Sequence, residues 1–258
     1  MDALLLRGSA ATDRGPVRKT NEDSFFCDET LGLFVVADGM GGHAAGEVAS
    51  RMSVESIASF IRRSHEDTEY SWPYGIDPHL SLNANRLRTA IHIANRRVYR
   101  VAEAHDDYTG MGTTVVAVLA YDGHTVVGHI GDSRLYLYSN GTLTQVTQDD
   151  SWAATVLGLP ALADQPAMAQ HPMRNVLTNV LGAREETDVH LQECRLTAGD
   201  SVLLCSDGLH SVVDDATIAS ILEAHGGGSE AAAALVQAAL DHGSRDNITA
   251  LVARYERP

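Results

Sequence analysis

Two apolar runs in this 258-residue chain end the same way: LGLFVVADG (31–39) and SVLLCSDG (201–208) each carry an aspartate out of a near-continuous hydrophobic stretch and follow it with glycine. Runs of this length, apolar at successive positions and rich in β-branched residues, read as strands buried on both faces. A carboxylate at the end of such a strand is costly unless something positive meets it. Lys19 is the only lysine among 19 basic residues, so a divalent cation is the simplest partner, and Mg²⁺ and Mn²⁺ take oxygen ligands. Two more aspartates are placed alike: Asp132 follows HTVVGHIG, and Asp246 sits in GSRDN, just before NITALVARY (247–255). Any one of them is most simply a turn residue capping nearby N–H groups. All four at strand ends are harder to explain that way.

The glycines of VADGMGGHAAGE (36–47) admit two uses. Gly39-Met40-Gly41-Gly42-His43-Ala44 formally satisfies G-x-G-x-x-A, the dinucleotide fingerprint. Asp38 would then set a negative charge beside the pyrophosphate, and no βαβ unit follows. A Walker A loop needs Gly-Lys-Ser/Thr, and Lys19 lies far from any glycine-rich turn. The metal reading is preferred, with Gly39 letting a backbone carbonyl approach an ion closely.

Strands are expected at 31–37, 112–121, 124–130, 134–139, 201–206 and 247–255, with another starting at Ser24. Asp122-Gly123 and Asn140-Gly141 read as hairpin turns. Helical spacing covers 44–62, 83–104, 215–224 and 229–241, with a shorter piece at 151–157. Strands in hairpin-linked groups and helices in pairs point to α+β with antiparallel sheets. Residues 64–83 read as an insertion between two helices. A net charge of −15 argues against nucleic acid as a partner. No apolar run reaches the ~20 residues of a membrane span, and the N-terminus lacks the pattern of a signal peptide, so a cytoplasmic location is expected. Cys27, Cys194 and Cys205 form no C-x-x-C pair and read as small buried hydrophobes.

TDRGPVRKTNED, VADGMGGHAAGE, GMGTT, IGDSRLY, HPMRNVLTNVLG, CSDGL and SRDNIT occur in the order found in the metal-dependent protein phosphatases of type 2C, the PPM family. The chain resembles the bacterial branch of that family from about Ser9 to Tyr255. The resemblance implies a four-layer α-β-β-α sandwich, two antiparallel sheets flanked by helices. It also implies one domain over 1–258, with a flap subdomain at about 149–175. The implied activity is hydrolysis of phosphoserine and phosphothreonine by a hydroxide bridging two Mn²⁺ or Mg²⁺ ions. Phosphorylated proteins, among them a Ser/Thr kinase and its targets, are the implied partners.

Carried over by position, Asp38 resembles the carboxylate bridging the two ions and Gly39 the carbonyl ligand. Asp207 and Asp246 resemble ligands of the second ion, and Asp132 with Asp207 holds a third, weaker one. Glu22 and Asp23 align with outer acids that act through water, Arg18 with the arginine that grips phosphate, and Asn247 with a residue orienting its loop. Many eukaryotic members carry a histidine shortly after the Asp-Gly pair as general acid. Here Met40 follows that pair and His43 comes three residues later, so both His43 and metal-bound water stand as the acid. A non-catalytic binding module and a two-metal phosphodiesterase are the competing readings. The first would lack a metal carboxylate, and none is missing.

Overall fold

A computed structural model describes residues 5–42, 45–67, 71–121, 124–157, 171–226 and 228–256. Within them, β1 (Leu5–Asp13), β11 (Ile248–Glu256), β10 (Ser201–Cys205), β7 (Arg134–Ser139) and β8 (Thr142–Gln145) form one antiparallel sheet in that order. A second sheet runs β2 (Asp23–Asp28), β3 (Leu33–Met40), β5 (Val115–Tyr121), β6 (His124–Ile130) and β9 (His190–Arg195), with the short β4 (Gly112–Thr113) pairing on β3.

The continuous apolar runs follow from four layers. Leu33, Val35 and Ala37 of β3 face α1 (Ala45–Glu66) and α2 (Leu82–Ala104), while Phe34 and Val36 face the other sheet. On β11, Ile248, Ala250 and Val252 lie beneath α3 (Asp215–His225) and α4 (Ser229–Asp241), and Leu251, Ala253 and Tyr255 fill the space between sheets. Alternation with period two therefore buries both sets, and no polar face is left to interrupt the run. The expected α-β-β-α sandwich is the observed architecture.

Several boundaries differ from expectation. The first helix runs on to Glu66, beyond the expected Arg62, so the insertion assigned to 64–83 starts later. The strand expected at 112–121 is broken at Thr114, whose N–H bonds to Asp38 O instead of a regular partner. β1 pairs with β11 over its whole length but was not expected, because Gly8, Ser9, Ala10 and Ala11 give it no β-branched signal. A side chain at Gly8 would run into the Phe34 ring of the facing sheet, so small residues are what this strand requires. The Asn140-Gly141 turn is present, with φ of 51° and 78° at its two residues. The Asp122-Gly123 turn lies outside the described residues.

Candidate metal centre

All four strand-end aspartates come out at one end of the sandwich. Asp38 stands near the end of β3, directly opposite Asp23 in the β2–β3 register. Asp207 opens a single helical turn (Asp207–His210) straight after β10. Asp246 leads into β11 and Asp132 follows β6. Mutual repulsion reports their closeness: Asp23, Asp207, Asp132 and Asp246 all push up the Asp38 carboxyl, after burial, the largest cause.

Every one of these groups that shifts does so upward. Burial moves the Asp132 carboxyl to about 7, helped by Asp207 and Asp149. Burial lifts Asp23 to about 6 even though two hydroxyls oppose the rise. Asp207 is raised mainly by burial and then by Asp246, with Arg18 opposing. Glu22 is raised by burial, with Arg18 opposing. Like charges gathered out of water repel, and only protons or cations relieve them.

The scaffold holding the acids is made of hydroxyls and backbone. Thr114 Oγ1 accepts from Asp38 N at 3.0 Å and pairs with Ser133 Oγ at 2.7 Å. The Asp38 carbonyl accepts from Thr113 Oγ1 at 2.7 Å and from Thr114 N at 2.9 Å. Ser206 Oγ and Thr249 Oγ1 both donate to Asp23 Oδ2, at 2.8 and 2.6 Å. Asn247 takes Glu22 N on its side-chain oxygen at 2.8 Å and donates to Arg14 O and Thr20 O, at 2.9 and 3.0 Å. The 14–22 loop, with Arg18 and Glu22, is thereby stitched to the start of β11.

The glycines after Asp38 and Asp207 answer a packing demand. A side chain on Gly39 would strike the backbone oxygens of Gly46 and Glu22, and one on Gly208 would strike the Asn247 carbonyl. Three backbone segments therefore meet beside the carboxylates, which fits a carbonyl ligand as well as carboxylate ones.

Arg18 Nη2 donates to Asp246 Oδ2 at 2.6 Å, both side chains partly exposed at the rim. As they stand, no three His, Cys, Asp or Glu side chains among the described residues form a ready-made ligand set. The reason lies in their present partners. Asp246 faces Arg18, and Asp23 faces Ser206 and Thr249. The residues nevertheless fit divalent cations. Asp23 Oδ1 and Asp207 Oδ1 are buried with no hydrogen-bond partner, and an oxygen-only donor set beside a backbone carbonyl is hard-cation chemistry.

The sequence reading missed several groups that hold the centre. His210, half-buried and pushed down to about 4 mainly by loss of water around the ring, donates Nε2–H to Asp132 O at 3.0 Å. Arg134 grips Asp149 with Nε and Nη2, at 2.9 and 2.8 Å. The Thr-Thr pair in GMGTT and the serine in CSDG were visible signals without an assigned role. His43 lies outside the described residues. A cavity of about 780 Å³ lies not over the acids but beside the base of the 149–175 segment, walled by Tyr74, His92, Asp150, Asn179 and His190.

A sequence model of the Protein phosphatase 2C family matches residues 13–242. The serine/threonine protein phosphatase PstP of Mycobacterium tuberculosis H37Rv is 39% identical over 251 residues, covering 97% of this chain and 45% of PstP. This chain thus spans about half the length of that relative. The serine/threonine phosphatase stp of Listeria monocytogenes EGD-e is 35% identical over 249 residues, covering 93% of this chain and 92% of stp. Two crystal structures of PstP superpose closely, the first of them from M. tuberculosis. One, of PstP/Ppp, has a TM-score of 0.83 at 37% identity, covering 98% of this chain and 100% of that one. Another, of the PstP catalytic domain in complex with two manganese ions, has a TM-score of 0.78 at 37% identity, covering 98% and 99%.

Proposed function

This chain belongs to the protein phosphatase 2C family, and from that premise we propose that it hydrolyses phosphoserine and phosphothreonine in proteins, using two Mn²⁺ or Mg²⁺ ions. The observation that carries the reading is the meeting of Asp23, Asp38, Asp132, Asp207 and Asp246 at one end of the sandwich with Arg18 at its rim. The reaction adds water across the P–O bond, releasing the serine or threonine hydroxyl and inorganic phosphate. When bound, the two ions supply the acidified water and offset charge on the phosphoryl oxygens.

The residues of this chain do the rest. Asp38, the Gly39 carbonyl, Asp207 and Asp246 hold the ions, and Asp132 with Asp207 takes a third. Glu22 and Asp23 act from outside that shell through hydrogen-bonded water. Arg18 grips phosphate with its planar fork, which requires it to leave Asp246. Asn247 keeps the loop bearing Arg18 and Glu22 against the centre. For the leaving group, His43 and water remain the two candidate acids. Residues 1–258 act as one phosphatase domain, with 149–175 as a flap that meets substrate. Phosphorylated proteins, including a Ser/Thr kinase and its targets, are the substrates. A cytoplasmic setting suits its three free cysteines, and no helix among the described residues is long and apolar enough to cross a membrane.

The test is phosphate release from a phosphothreonine peptide with Mn²⁺. Turnover is expected to stop in EDTA and to fall roughly a hundredfold or more in Asp38→Asn. Turnover persisting in EDTA would exclude the reading.

A further inference from the structure

Asp150 is hydrogen-bonded in three directions at once. Its Oδ2 accepts from Gly131 N at 3.0 Å and from Asn179 Nδ2 at 2.9 Å, and its Oδ1 accepts from His190 Nε2 at 2.8 Å. Its backbone is equally engaged: Asp150 N donates to Gly131 O at 2.9 Å, and Asp150 O accepts from Thr178 N and Thr178 Oγ1, at 2.8 and 3.0 Å. The side chain is only 13% exposed, so these bonds are mostly sheltered from water.

Each partner belongs to a different part of the centre. Gly131 precedes Asp132. Thr178 and Asn179 begin the chain's return from the 149–175 segment. His190 lies on the edge strand β9 and stacks on His129 of β6, with ring centres 4.9 Å apart. The two chain ends of that segment also pair directly, through the Ser151–Leu177 bridge and Trp152 N donating to Val176 O at 2.8 Å. Beside it, Asp149 clamps Arg134 two residues past Asp132. The Asp149-Asp150 pair thus holds the Gly131–Arg134 turn from both sides, and Asp150 alone also ties it to both ends of the flap.

We propose that Asp150 is a positioning residue that makes the flap neck and the Gly131–Asp132 turn move as one unit, so that a cation held through Asp132 and a phosphoprotein engaging the flap favour the same arrangement. The inference rests on the phosphatase reading for its substrate, but not for its cation. By linkage, loosening the neck weakens the cation at Asp132, and loosening that turn weakens protein substrate. Loss of Asp150 therefore acts selectively, on the Asp132 cation and on protein substrates, rather than on the pair of ions shared by Asp38, Asp207 and Asp246.

The test counts bound Mn²⁺ by electron paramagnetic resonance, with hydrolysis of a phosphothreonine peptide and of a small aryl phosphate measured in parallel. Wild type should show a tight class of two and a third, weaker ion, and Asp132→Asn should lose the third. Asp150→Ala should keep the tight class, weaken the third ion about tenfold, and lower kcat/KM for peptide about tenfold more than for aryl phosphate. If Asp150→Ala fails to fold, Asn179→Ala and His190→Ala each remove one of its bonds and should move both readouts the same way by less. The proposal is overturned if wild type binds no third ion, or if these variants match wild type in Mn²⁺ binding and in the peptide-to-aryl ratio. Should wild type release phosphate from neither substrate, the phosphatase reading fails, and the Mn²⁺ count still decides the role of Asp150.

Discussion

Asp23 and Asp38 are direct cross-strand partners in β2 and β3, so two carboxyls face each other at the end of a sheet. Like charges in that relationship are destabilising. Two hydroxyls bond to Asp23, whereas Asp38 is raised by burial and then by Asp23 itself. The centre is therefore strained by its own charge when no cation is present, and several consequences can be measured.

Stability of the metal-free protein should fall as pH rises. A carboxyl with a higher pKa folded than unfolded binds its proton more tightly when folded. Its penalty is absent below the unfolded value near ~4 and complete above the folded value. With Asp23 at about 6 and Asp132 at about 7, the loss is spread from pH ~4 to ~7 and amounts to roughly 3 kcal/mol for Asp23 alone and roughly 4 kcal/mol for Asp132 alone. Urea denaturation in EDTA should give a higher midpoint at pH 5.5 than at pH 8, and saturating Mn²⁺ should shrink the difference. A midpoint in EDTA that rises with pH would contradict this.

Asp38→Asn should separate stability from activity. Removing the charge relieves Asp23, Asp132, Asp207 and Asp246 together, so metal-free stability at pH 8 should rise by about 1–3 kcal/mol while phosphate release is lost. Denaturation and turnover on the same preparation check both parts.

Gly39→Ala should be far more damaging than its size suggests. The added carbon meets the backbone oxygens of Gly46 and Glu22, which cannot turn aside as a side chain could. The expected loss is about 3 kcal/mol or more, with activity falling alongside. Gly42→Ala, where a side chain meets nothing within 4 Å, is the control and should stay close to wild type in stability.

Arg18→Ala should act twice. Phosphate loses its fork, so kcat/KM should fall about 10- to 100-fold, mostly through KM. Asp246 loses its 2.6 Å partner, so Mn²⁺ should bind the core site more tightly. Calorimetric Mn²⁺ titration distinguishes this from general damage, which would weaken both.

The sandwich and the acids were legible because burial on both faces writes an unbroken apolar run and a carboxylate at its end breaks the pattern. β1 was not, since its tight fit under Phe34 demands small residues that carry no strand signal. β9, HLQECR, is an exposed edge whose polar residues hide it. Thr114, Ser133, Ser206 and Thr249 escaped for another reason: hydroxyls at strand ends are common, and only the fold shows that these four close around Asp38 and Asp23. Asp150 stood in plain view at the start of the expected flap, but its partners Gly131, Asn179 and His190 are spread along the chain.

Anomalous diffraction at the manganese edge, on crystals grown with Mn²⁺, tests the central claim most directly. Two peaks should appear with the Asp38 carboxylate between them, one beside the Gly39 carbonyl and one beside Asp207 and Asp246, with Arg18 released from Asp246. Peaks that leave Asp38 untouched, or none at saturating Mn²⁺, would mean that these acids do not gather for a shared pair of cations.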